Sequence, residues 1–170
     1  MSQPEMPPLR KLVLTALLST AGVLLSGLSI PLGPTRCFPF QHAINVIAGV
    51  LLGPWWAAGA AFTTSALRLA LGTGTLFAFP GSIPGALAVG LASRVFRERP
   101  LWAAAAEPFG TVLVGASLSA VVIAPFTNAK ATFAMLGPAF LVSSISGVIL
   151  GSLVLITLPR AVRGAGHTPS

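Results

Sequence analysis

Long apolar runs, broken at short intervals by glycine, proline and small groups of charge, set the pattern of this chain. A hydrocarbon layer of about 30 Å takes about 20 helical residues to cross, fewer where a helix is short or shielded by neighbours. On that ruler the pattern predicts six helices: Leu12 to Ile30, Phe40 to Gly53, Trp55 to Leu71, Ser82 to Phe96, Leu101 to Ala124 and Pro138 to Leu158. Only Gly53 and Pro54 stand between the second and third, a pair that ends one helix and begins the next. The rival topology merges those two into one kinked segment. Small residues four apart let helix backbones approach closely in lipid. They recur as Thr111, Gly115 and Ser119, as Ser143, Gly147 and Gly151, as Asn45, Gly49 and Gly53, and more weakly as Ala16 and Thr20. The expected fold class is an all-α membrane protein: a compact bundle of six transmembrane helices over residues 12–158, with tails at 1–11 and 159–170.

Composition turns these runs into membrane spans rather than a soluble core. Of 170 residues, 54% are hydrophobic and only 8% charged, where soluble domains carry roughly a quarter charged residues. Glu5, Glu98 and Glu107 are the only acids, too few to coat a water-exposed surface of this size. The ten basic residues are scattered among apolar spans instead of gathered in a patch, which argues against nucleic-acid binding.

Their distribution also separates the two topologies, because short cytoplasmic loops collect Lys and Arg. Six spans with the N-terminus inside put Arg10 and Lys11, then Arg94, Arg97 and Arg99, then Arg160 and Arg163 on the cytoplasmic side, leaving Arg36 and Lys130 outside. Merging two spans would set the Arg94 to Arg99 group opposite Arg10 and Lys11. Both termini are therefore expected in the cytoplasm, with the first tail followed by a retained helix rather than a cleaved signal peptide. Cys37 is the sole cysteine, so no intrachain disulfide can form, and it reads as a packing residue.

The stretch GTGTLFAFPGSIPG, Gly72 to Gly85, has the glycine density of a phosphate cradle. It lacks the preceding strand and the Lys of a nucleotide loop, so it reads as the outer connection between helices three and four. Gly72, Gly74, Pro80, Gly81 and Pro84 then supply turn geometry, while Thr73, Thr75, Phe77 and Phe79 offer hydroxyls and aromatic faces. A purely structural loop is the equal alternative.

The first outer connection carries more chemistry. Gln41, His42 and Asn45 fall three and four apart near one face of the second helix, where their amides and imidazole suit a small heteroaromatic solute. Arg68 lies inside the third helix, where an ionised group costs several kcal/mol unless paired or hydrated. Glu107 is the one intramembrane carboxylate available to it. Either the two pair directly, or Glu107 sits at a helix N-terminus and Arg68 faces a polar cavity. Asn128 and Lys130 either close that cavity from above or form a solvated loop. No nucleophile and base stand at catalytic spacing, and two His, one Cys and three acids match no metal-site pattern, so neither enzyme activity, metal nor cofactor is implied.

PFQHAINVIAGVLLGP (Pro39 to Pro54), RLALGTGTLFAFPGSIPGALAVGL (Arg68 to Leu91) and EPFGTVLVGA (Glu107 to Ala116) resemble the ThiW family over nearly the whole chain outside its tails. That resemblance implies a substrate-binding S component of an energy-coupling factor transporter in the cell membrane, taking up hydroxyethylthiazole, the thiazole precursor of thiamine. It further implies two ATP-binding subunits and a transmembrane coupling protein as partners, and a subunit that topples in the bilayer to release cargo. Many S components dock on their first helix through an Ala-x-x-x-Ala surface; the nearest counterpart here is Ala16 with Thr20, a departure from that pattern. The positions carried onto this chain as a binding site are Gln41, His42, Asn45, Arg68, Thr75, Phe77 and Glu107. A phosphorylated cargo would give Arg36, Arg68 and Lys130 a role as anion contacts. The alternatives are an S component for another vitamin or heteroaromatic precursor, and a structural subunit of a membrane complex.

Overall fold

The computed structural model describes residues 6–32 and 35–158. Six helices account for most of them: α1 Pro8–Leu25, α2 Pro39–Leu52, α3 Pro54–Ala70, α4 Ala78–Val95, α5 Pro100–Phe126 and α6 Phe133–Thr157. A short antiparallel hairpin, β1 Ile30–Leu32 with β2 Thr35–Cys37, pairs Ile30 with Cys37 and Pro31 with Arg36.

That hairpin leaves the all-α class standing but corrects the expectation of a first helix reaching Ile30. α1 stops at Leu25, where the Ser26 N–H and hydroxyl both turn back to the Val23 carbonyl and Gly27 follows. The freed segment then pairs with the approach to α2. At the other end α1 starts at Pro8, taking Arg10 and Lys11 into its first turns rather than into a tail. Residues 1–5 and 159–170, which include Arg160 and Arg163, lie outside the described residues.

α2 is the axis of the bundle. Twelve of its 14 residues are buried, and it packs against α1, α3, α4 and α6. At a rise of 1.5 Å per residue it is only about 21 Å long, short of a bilayer's apolar thickness. Enclosure by longer neighbours lets a short helix that carries Gln41, His42 and Asn45 exist inside an apolar body. Gly53, at φ +84°, makes the break between α2 and α3, a left-handed conformation that costs a side-chain-bearing residue.

Glycine at close approaches brings the remaining helices together. A Cβ at Gly147 of α6 would meet the His42 side chain and backbone, and one at Gly151 would meet Val46. Gly110 and Gly115 of α5 press onto the carbonyls of Pro84 and Pro80 in α4. Pro84 has no N–H to return to the Pro80 carbonyl, so that oxygen is left for the approaching α5 backbone. Along the same contact α5 widens into π-type turns over Phe109–Ala116 and Ser119–Ile123.

Three helices, α1, α5 and α6, are long and apolar enough to cross a membrane. The bundle's outside is correspondingly apolar: Leu24, Trp55, Val121 and Phe126 are each more than 70% exposed. Water would not tolerate so continuous an apolar exterior, whereas lipid solvates it. The chain is an α-helical membrane protein.

Candidate functional site

Buried polar side chains on α2, α3, α4 and α5 form a connected hydrogen-bond network that runs from Arg68 to Glu107. Arg68, 2% exposed at the end of α3, donates from Nη1 to Gln41 Oε1 (3.2 Å) and from Nη2 to the Thr73 carbonyl (3.4 Å). Its guanidinium carbon stands 4.1 Å from the centroid of the Phe38 ring, a cation–π contact. Gln41 Nε2 donates to Ser82 Oγ (3.0 Å), Ser82 Oγ donates to Asn45 Oδ1 (3.1 Å), and Asn45 Nδ2 donates to Glu107 Oε1 (3.3 Å). Every bond in this relay points the same way, from guanidinium toward carboxylate, so each polarises the next.

Glu107 is the sink. It is fully buried, and its oxygens also receive Thr111 Oγ1 (2.8 Å), Ser144 Oγ and His42 Nδ1 (2.6 Å). A buried carboxylate in a low-dielectric interior needs such a full set of donors. Asn45 Nδ2 holds the Ser82 carbonyl as well (3.1 Å), fixing α2 against α4.

This geometry overturns direct pairing of the charged residues, and of the alternative it keeps Arg68 facing a polar cavity but not Glu107 at a helix N-terminus. Arg68 and Glu107 do not touch; three polar side chains separate them. Nor does Glu107 cap a helix N-terminus, since α5 begins seven residues earlier at Pro100. It is His42 that the carboxylate meets, at 2.6 Å. The Ser144 hydroxyl meets that carboxylate rather than the imidazole, so the trio lacks the nucleophile-to-base bond of a hydrolytic triad.

A cavity of about 550 Å³ opens above the network. Gln41, His42, Arg68, Thr75 and Phe77 line it, while Asn45 and Glu107 lie behind its wall. Arg36 and Lys130 come to its rim from separate connections, so the loops after α1, α3 and α5 all lie at one end of the bundle. Asn128, at φ 54°, borders a shallower neighbouring depression instead.

The glycine-rich stretch splits in two. Gly72, at φ +69°, ends α3, and the N–H groups of Thr73 and Gly74 return to the Arg68 carbonyl (2.9 and 3.0 Å). Pro80, Gly81 and Pro84 are not turn residues, because α4 already begins at Ala78. Phe79 turns away from the cavity to meet Phe62 edge-on at 5.5 Å. The expected hydroxyl and aromatic contributions thus come from Thr73, Thr75 and Phe77, joined on the opposite wall by Met135, Phe140 and Ser143 of α6, which pattern reading had assigned to packing or left unassigned. The run SSISG in the most apolar helix was the available signal for that wall.

A family model described as thiamine-precursor transporter protein (ThiW) matches residues 12–161. The chain belongs to the ThiW family. As a member of this transporter family it is a membrane protein of thiamine-precursor transport. Comparison with curated proteins and with solved structures returns no match. Within ThiW the matched span takes in the whole network, from Phe38 and Gln41 through Arg68 and Glu107 to Ser144.

Proposed function

We propose that this ThiW protein is the substrate-binding S component of an energy-coupling factor transporter and that its cargo is the thiazole precursor of thiamine, hydroxyethylthiazole. One observation carries the reading: in a thiamine-precursor transporter, a cavity of about 550 Å³ meets the buried polar network that runs from Arg68 to Glu107. Small-molecule sites run about 300–1,000 Å³ and pair apolar walls with a few placed polar groups. Phe77 and Phe140 supply ring faces, Gln41 and His42 supply hydrogen-bonding edges, and Asn45 and Glu107 hold those edges in place from behind.

The subunit lies in the cell membrane as six spans with both termini in the cytoplasm and the cavity toward the exterior, so that Arg36 and Lys130 are outside. Energy comes from two ATP-binding subunits acting through a transmembrane coupling protein. Ala16 and Thr20 serve as its docking face: both are exposed on α1, a helix whose buried residues are Ser19 and Gly22.

Titration of the purified protein with hydroxyethylthiazole tests the assignment. Saturable binding with thermal stabilisation, weakened by His42→Ala or Asn45→Ala, supports it; a thiamine pyrimidine or another vitamin binding in its place reassigns the cargo, and no binding at all favours a structural subunit. Ala16→Phe or Thr20→Phe is expected to impair uptake in cells while leaving equilibrium binding intact. Equal loss of both would mean that α1 shapes the cavity rather than the docking face.

A further inference from the structure

The charge around the cavity is one-sided. Among the described residues Arg36, Arg68 and Lys130 line it, and no carboxylate does. Glu107 cannot supply the missing sign, since it lies behind His42 with both oxygens already receiving donors. Arg68 is the telling group: it is buried, yet among the described residues it meets no carboxylate, and its Nε has no hydrogen-bond partner. Of five guanidinium donors, two find acceptors, and both acceptors are neutral. One face is covered by Phe38. A cation held in this way in a low-dielectric interior is stabilised by an anion arriving from the cavity. Guanidinium suits carboxylate and phosphate through paired, charge-assisted bonds.

We propose that the cavity binds its thiazole cargo in an anionic form, with a phosphate monoester or carboxylate on the ring seated against Arg68 and drawn in by Arg36 and Lys130. This rests on the thiazole reading above and deepens it. Arg68 supplies the buried contact that sets affinity. Arg36 and Lys130, both exposed, act at the rim, where their field is screened by salt and governs mainly the rate of entry.

The test compares hydroxyethylthiazole, its phosphate monoester and a methylthiazole carboxylate by calorimetry on the full chain in detergent. At least one anion is expected to bind about tenfold more tightly than the alcohol, the scale of one desolvated charge-assisted contact. Which anion wins identifies the group. Arg68→Gln should abolish the preference, and should it fail to fold, the double variant Arg36→Gln/Lys130→Gln provides a second readout: slower association of the anion, with weaker salt dependence. The inference is overturned, with the cargo class left standing, if the alcohol binds as tightly as both anions and the double variant alters neither rate nor salt dependence. Binding of none of the three overturns the cargo assignment and this inference together.

Discussion

Replacing Glu107 with Gln keeps the shape of the side chain and removes its charge, which isolates what the carboxylate contributes. Four donors converge on it: His42 Nδ1, Asn45 Nδ2, Thr111 Oγ1 and Ser144 Oγ. Hydrogen bonds to an ionised group contribute about 1.5–3 kcal/mol each, against about 0.5–1.5 for neutral pairs, so each bond loses about 1 kcal/mol. The new amide nitrogen also points a donor where an acceptor stood; Ser144 is the partner able to rotate its hydroxyl and accept it. Polar contacts inside membrane proteins measure somewhat weaker than these figures, and the sum over four bonds comes to about 2–4 kcal/mol. Unfolding by dodecyl sulfate titration of the micellar protein, followed by helical circular dichroism, reads this directly. A variant within about 0.5 kcal/mol of the parent would refute the reasoning, since that is the size of an ordinary surface change. A double-mutant cycle with Ser144→Ala sharpens the result: the two changes share one bond, so their costs should fall short of additivity by about 1 kcal/mol.

Gly147→Ala should destabilise the protein by about 1–3 kcal/mol in the same assay, because its Cβ would press on His42 and the Ala43 backbone, whereas Gly59→Ala, with nothing within 4 Å, should be neutral or slightly stabilising. Phe140→Ala removes an aromatic wall of the cavity and should weaken thiazole binding about tenfold, measured by calorimetry, with the helical spectrum retained. Cys37, 2% exposed, should react with a bulky maleimide only after denaturation, as read by mass shift. In a Cys37→Ala background, Thr75→Cys should be labelled by an impermeant maleimide added to intact cells; protection there together with reactivity in inverted vesicles would reverse the proposed orientation.

Legibility followed the range of the interaction. The grouping of Gln41, His42 and Asn45 was visible because helical periodicity alone places residues three and four apart on one face. The same rule exposed the ladder Ser143, Gly147, Gly151, which the structure seats against α2. The start of α4 was misjudged because Pro80 and Pro84 read as breakers, yet proline is tolerated in a first turn, and the later one is accommodated by a glycine of α5 approaching the freed carbonyl. The hairpin of Ile30–Leu32 and Thr35–Cys37 was missed since three-residue strands carry no periodicity to detect.

Sequence by itself determined the solvent and the class of element. Scarce charge and apolar runs of helical length leave no stable alternative to helices in lipid, and the family motifs are contiguous strings that need no geometry to be seen. Only tertiary structure decided who meets whom. Glu107 lies 65 positions from His42 and 39 from Arg68, yet it takes the first as its partner and reaches the second through Gln41, Ser82 and Asn45. Nothing local distinguishes those two outcomes, because the choice between them rests on crossing positions of α2, α4 and α5 that glycine contacts set to within an ångström or so.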